Sequence, residues 1–336
     1  ILAYHRQRAL DQANTLVERQ HQHKIAADQR EHTASTERNL RDRYTTCAEQ
    51  LAHDTAAIRL AGVYALASLA DDWHTFGNND ERQVCIDLLC AYLRTEPPKP
   101  RRNGIDTSIQ LLEGQEESVA REEQHVRTAI INAIRIRTTP RDGIPAAWSR
   151  CEFDLTGANL TRVYLVGADL TGANLSEANL TGASLSYTEL SWVLMVGANL
   201  SGADLGKANL SGAIAINANL AGAIMTKAKL SDAQLHGATL TGTDLTRANL
   251  TNANLAKADF TDGILAEADL TCADLSGASL FKTNLFGANL AEANLRRANL
   301  LSACLLAKNL SSAHMSGVYH DDKTIWPDDF DQSRLG

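Results

Sequence analysis

Cysteine, histidine and carboxylate are the residue types here that could carry chemistry, and their spacing decides which kind. The six cysteines stand at 47, 85, 90, 151, 272 and 304 with no CxxC among them. That pattern reads as reduced thiols of a cytoplasm, not a disulfide framework or a zinc knuckle. Two of the ten histidines fall in HQH at 21–23. Residues two apart on a helix face different sides, which argues against a shared zinc ion. No GxGxxG, Walker loop, HExxH or GxSxG occurs. The acidic residues of the second half stand among Asn, Ser and Thr, with no apolar wall to raise a pKa. No catalytic residue, metal site or cofactor is expected, and the protein is not expected to be an enzyme.

What remains is binding, and one stretch is suited to it. LSWVLMVGANL, residues 190–200, places Trp192, Leu194 and Val196 where the surrounding sequence puts small or polar residues. Ile214 and Ile216 return twenty residues after Leu194 and Val196. A contiguous exposed apolar patch usually marks a contact. Two occupants are open: the chain's own N-terminal region, or a partner protein.

The elements that hold these residues follow from a strict period. Between Leu155 and Met315 there are 33 positions numbered in fives, and 28 of them are Leu; the others are Met195, Ala215, Met225, Phe260 and Met315. Two residues before each, Ala is the usual residue. A helix cannot bury a period of five, because five residues turn it by about 500°. Local alternation can: Ala in, Asn or Asp out, Leu in, then two polar residues rounding a corner. Four such units close a 20-residue coil, and stacked coils align every Leu with the Leu twenty residues on. Trp192 then stands above Gly212, and Leu194, Val196, Ile214 and Ile216 share one face. Met195 fills space left by Ala215.

The unit A-[ND/S]-L-x-x, as in GANLTRVYL or ADLTGANLSEANL, resembles the pentapeptide-repeat family. The resemblance implies a mainly β solenoid, a right-handed quadrilateral β-helix over residues 151–318. About eight coils at ~4.8 Å give a rod on the order of 40 Å long. Solenoid ends need capping. The tail 319–336, with Tyr319, Trp326 and Phe330, is expected to cover the apolar strip of Phe281, Leu301, Phe286 and Leu306. Lys308 falls in an inward Ala slot, so the coil is expected to open there.

The first part of the chain reads as a small all-α domain over 36–140. Leu40, Tyr44, Cys47 and Leu51 mark one amphipathic helix. HDTAAIRLAGVYALASLADDW follows, with Asp54 as N-cap and Ile58, Leu60, Val63, Leu66 and Leu69 inward. NNDERQVCIDLLCAYLRT is a third helix, and EESVAREEQHVRTAIINAIRIR a fourth; 97–115 between them reads as a linker. RLAGVYALASLADDW…RQVCIDLLCAYLR resembles the helical segment before the repeats of many actinobacterial members of the family, in which transmembrane helices lie further upstream. That likeness implies a polar helical stalk over 1–35. It also implies a cytoplasmic protein held at the inner face of the cell membrane by a segment upstream of residue 1. ILAYHRQR fits such a boundary, and no run of 18 apolar residues occurs in the chain itself.

Charge bounds the partners. The net charge is −8. Residues 1–150 hold 20 basic and 21 acidic groups, and residues 151–336 hold 12 and 19. Direct nucleic-acid binding by phosphate neutralisation is therefore not expected. The family resemblance brings one alternative, because its quinolone-resistance branch mimics DNA and binds gyrase. A 40 Å mimic would need roughly 23 negative charges. From Glu152 to Glu292 there are 14 acidic residues, against ten basic ones between Arg162 and Lys308.

Overall fold

A computed structural model describes residues 2–96, 109–140 and 146–335. Helices α1 (Leu2–Leu51), α2 (Ala56–Phe76), α3 (Asn79–Arg94) and α4 (Ile109–Thr138) form its first part. Leu40, Cys47 and Leu51 bury the end of α1 against α2, whose Val63, Leu66, Ala70 and Trp73 face the core. Cys85, Ile86, Leu89 and Leu93 of α3 and Val126, Ile130 and Ile134 of α4 complete it. Asn78 caps α3, its Oδ1 accepting from the Glu81 amide at 3.1 Å.

Three details differ from expectation. The N-cap of α2 is Thr55, and the Asp54 carbonyl instead accepts from Arg59 Nη1 at 2.7 Å. Ile58 is exposed: at 100° per residue it lies at the edge of the stripe through Val63, Leu66 and Ala70, whose place in that turn Arg59 takes. Helix α4 begins at Ile109, inside the span expected as linker; residues 97–108 lie outside the described residues. So does Ile1, where a membrane boundary was expected. No helix of the described residues is long and apolar enough to cross a membrane.

From Cys151 onward the chain winds in 20-residue coils. Asp154 pairs with Asn174, Asn174 with Leu194, and Leu194 with Ile214, all in parallel. The other three sides repeat this from Asn159, Tyr164 and Asp169. Among the described residues these are single-residue bridges, not longer strands, because a corner follows every short extended piece. The Leu155 amide donates to the Asn174 carbonyl at 2.8 Å, and the Asn174 amide to the Phe153 carbonyl at 2.9 Å. At the corner the Ala158 amide donates back to the Leu155 carbonyl at 3.0 Å. The outward Asn and Asp fasten the corners: Asn159 Oδ1 accepts from the Thr161 amide at 3.2 Å and its hydroxyl at 2.8 Å. Inside, Leu and Ala of successive coils are buried throughout.

The N-terminal end of the coil is closed by the helices. Gln83 of α3 treats residue 152 as a strand would: its Nε2 donates to the Glu152 carbonyl at 2.7 Å and its Oε1 accepts the Glu152 amide at 3.0 Å. An unpaired edge is thereby covered. Arg94 binds the Asp154 carboxylate, and its Nη1 also donates to the Asp154 carbonyl at 2.9 Å. The Arg135 guanidinium lies 5.3 Å from the centre of the Tyr164 ring. Buried Trp148, donating to Asp71 Oδ1 at 3.0 Å, secures the connection.

At the other end, Lys308 does not open the coil. It is exposed and pairs with Asn289, nineteen residues back instead of twenty. The chain drops one residue, which turns the amine outward. The Leu310–Ser312 turn restores the register, and His314 pairs with Asn294.

Candidate functional site

The patch expected from LSWVLMVGANL forms on one side of the coil and its two corners. Trp192, Leu194 and Val196 are 67 %, 37 % and 41 % exposed. Ile214, bridged to Leu194, and Ile216 are half-buried beside them. Beneath, Met195 and Ala215 are buried. The interactions of the helices with the coil described above are made at residues 152–164, not at this patch.

Trp192 is held by backbone geometry. It occupies a corner with φ 60°, and Gly212 takes the same corner one coil later with φ 67°. A Cβ on Gly212 would come 2.5 Å from Trp192 Cε3, so the absent side chain is what seats the indole on the coil. Asn, Ser or Thr at 192 would leave a polar corner like its neighbours.

Of the residues expected to form the C-terminal cap, Trp326 and Phe330 stack at 5.0 Å with an 8° angle and pack against the core. Tyr319 is instead 63 % exposed, pointing outward from its bridge with Asn299. Phe281 and Leu301 are half-buried, while Phe286 and Leu306 stay exposed. The tail thus packs at the open end of the coil, by Ala313 and Met315, and leaves the outer pair uncovered.

Sequence reasoning missed a second feature, a cleft of about 520 Å³ between α4 and the first coil. Leu93, Ile131 and Val163 give it apolar walls, and Asn132, Arg162 and Tyr164 line its mouth. Glu123 at its edge is the one carboxylate that could act as a base. It is fully engaged: Arg59 Nη2 donates at 3.1 Å, Arg127 Nε at 2.8 Å and Tyr92 OH at 2.8 Å. Burial, followed by the bond to Glu123, pushes the Tyr92 phenol up to about 12. A phenol that high supplies no acid near neutrality, and the Glu123 oxygens are already taken up by three donors from the protein. The group fastens helices together. The signal in the sequence was a Glu and Arg at i and i+4 on the inward stripe of α4.

Two buried thiols of α3 are equally quiet. Burial pushes Cys85 and Cys90 up to about 12, which holds them as unreactive thiols. Among the described residues no group of His, Cys, Asp and Glu is placed to hold a metal ion.

A family model described as pentapeptide repeats matches the chain in eight copies, over residues 152–186, 194–232, 203–242, 228–265, 249–285 and 278–317. Among solved structures, similarity is found to HetL, a pentapeptide repeat protein involved in heterocyst differentiation regulation from the cyanobacterium Nostoc sp. strain PCC 7120. The identity is 29 %, covering 52 % of this chain and 92 % of that one, with a TM-score of 0.26. The pentapeptide repeat protein alr5209 of Nostoc PCC 7120 is 30 % identical over 31 % of this chain and 81 % of its own, with a TM-score of 0.19. QnrB1, a plasmid-mediated fluoroquinolone resistance protein, is 18 % identical over 50 % and 86 %, with a TM-score of 0.40. No curated protein matches the chain.

Proposed function

This chain belongs to the pentapeptide repeat family, and from that premise we propose that it is a non-catalytic interaction module whose coil presents Trp192, Leu194, Val196, Ile214 and Ile216 to a protein partner. The observation that carries the reading is the exposure of Trp192, Leu194 and Val196 on a coil whose helical domain is engaged elsewhere, at residues 152–164. A stack of coils bonded at every side costs little further ordering when it binds, so a modest patch on it can serve as an anchor.

The double variant Leu194→Glu/Ile214→Glu tests the proposal. It should keep the native melting temperature and the protease resistance of residues 36–140, while losing photo-crosslinks to other proteins from a probe placed at residue 196. A lower melt with new cleavage in 36–140 would make the patch an internal dock and overturn the reading.

Gyrase binding by DNA mimicry is the alternative. The charge on the coil weighs against it: one side runs Asp169, Glu189, Asn209, Lys229, Asn249, Asp269, Asn289, Lys308, of mixed sign where a phosphate mimic needs one sign throughout. It predicts inhibition of supercoiling at micromolar protein, and no effect there discards it.

A further inference from the structure

Independently of the Trp192 patch, we infer that the cleft between α4 and the first coil binds a small organic anion with an apolar body, its acid group facing Arg162 and Asn132 at the mouth. At about 520 Å³ the cleft has the size of a small-molecule site, roughly 300–1,000 Å³, and it lies between two domains, where such sites gather. Buried Leu93 and Ile131 and half-buried Val163 wall it. The walls are fixed before any ligand arrives. Arg94 holds α3 to Asp154, and the Arg135 guanidinium of α4 lies over the Tyr164 ring. A site ordered in advance loses little further freedom on binding.

Charge selects the ligand. The charged side chains lining the cleft, among the described residues, are Glu123, Arg127 and Arg162. Glu123 is more than offset, since Arg127 Nε donates to it at 2.8 Å and Arg59 Nη2 at 3.1 Å. Two further guanidiniums stand by the mouth. Arg162 is exposed there, its Cγ 3.5 Å from where a Cβ on Gly182 would be, so glycine at the next corner leaves room for the arm along the coil. Arg135 covers Tyr164, and its Nε is buried with no hydrogen-bond partner. Among the described residues neither of these two forms an ion pair. The coil sides flanking Arg162 begin with Asn159 and Asn179 on one hand and Tyr164 and Ser184 on the other. Asp204, next on the second side, is two coils away, about 10 Å. Glu117, Arg121 and Glu122 of α4 are exposed outside the lining. Arg59, Arg127, Arg135 and Arg162 thus stand against the one carboxylate of Glu123. A guanidinium takes a carboxylate or phosphate through two parallel bonds. Half-buried Asn132, whose side chain bonds to no described residue, adds a donor beside it. An acid group is favoured here over an alcohol or an amine.

The test is calorimetric titration of the full chain with amphiphiles below their micellar concentrations. Decanoate should bind about tenfold more tightly than decanol or decyltrimethylammonium, and butyrate should not bind, because it lacks the apolar body. Decyl phosphate set against decanoate identifies the acid group, and either order supports the proposal. Arg162→Gln should lower the decanoate affinity about tenfold and leave that of decanol unchanged. Thr128→Trp, at an exposed position of α4 that lines the cleft, should abolish the binding of both. The two variants are checked for an unchanged melt. Amide exchange of the unaltered chain gives a readout that needs no variant: decanoate should raise protection in residues 120–132 and 159–164, and not in 192–216. Equal affinities for decanoate and decanol would leave a cleft that does not select an anion and overturn the inference. Binding that survives Thr128→Trp, or protection confined to 192–216, would place the ligand elsewhere and overturn it too, as would no binding at all.

Discussion

The indole of Trp192 occupies the space that a side chain at residue 212 would need, so that a Cβ on Gly212 would come 2.5 Å from its Cε3 and Cζ3 atoms. Both residues stand at a corner that demands positive φ. Glycine reaches that region freely and other residues do so with strain, yet Lys207, Lys227 and Arg247 hold such corners nearby. Gly212 is therefore distinguished less by its backbone than by what lies on top of it.

Gly212→Ala should displace the indole while costing only about 1 kcal/mol in stability. The Trp192 emission should shift to the red and become more quenchable by iodide. Unaltered emission with a large fall in the melt would mean that the coil itself, and not the indole, gives way.

Three inward slots hold Thr where Ala is usual, and each hydroxyl finds a backbone acceptor. Thr188 donates to the Leu165 carbonyl at 3.0 Å, Thr243 to Leu220 at 3.1 Å and Thr283 to Phe260 at 2.8 Å. Thr283→Val keeps the shape and removes the donor. The Phe260 carbonyl keeps its bond from the Gly263 amide at 2.8 Å, so the loss should be about 1 kcal/mol, measured by urea unfolding.

The coil was legible because a period of five admits few solutions and Leu155 to Met315 keep it almost without break. The patch was legible for the same reason, since register alone places Leu194 against Ile214. Local deviations were not. Lys308 falls in an inward slot by counting, but a buried amine costs more than skipping one residue, so the register slips. Ile58 was expected inward, and Arg59 took the place because Glu123, Tyr92 and two carbonyls satisfy it there. Partners from sixty-four residues away are invisible to a helical stripe. Gln83 closing the edge at Glu152 is illegible for the same reason.

Asp321 fastens the C-terminal end. Its carboxylate accepts from the Ser302 amide at 2.8 Å, the Thr324 hydroxyl at 2.9 Å, the Ser302 hydroxyl at 3.0 Å and the Lys323 amide at 3.2 Å. The Ser302 amide leads in lowering its pKa from 3.8 to about 2. A carboxylate with a depressed folded pKa adds stability that is complete above its unfolded value and lost as pH falls through the folded one. The cap should therefore loosen between about pH 4 and pH 2, seen as a change in Trp326 emission and faster amide exchange after residue 302. Asp321→Asn should remove the transition. Its persistence in that variant would assign it to other carboxylates.

Glu123 gives the sharpest contrast between the two halves of the molecule. Its carboxylate is the shared acceptor for Arg59, Arg127 and Tyr92, and all but Tyr92 are buried. Arg127 in turn donates to the Leu93 carbonyl at 2.9 Å and the Thr95 carbonyl at 2.6 Å, tying the end of α3 to α4. Glu123→Ala leaves two buried guanidiniums without a counter-charge, which costs about 3–5 kcal/mol. Glu123→Leu with Arg59→Met and Arg127→Met removes the charges together and should recover much of that loss. Amide exchange should rise across α2, α3 and α4 in the single variant while the coil from about residue 170 onward stays protected, because its bonds run from coil to coil. Protection lost equally along the coil would show that the helical cap is needed to hold the whole stack closed.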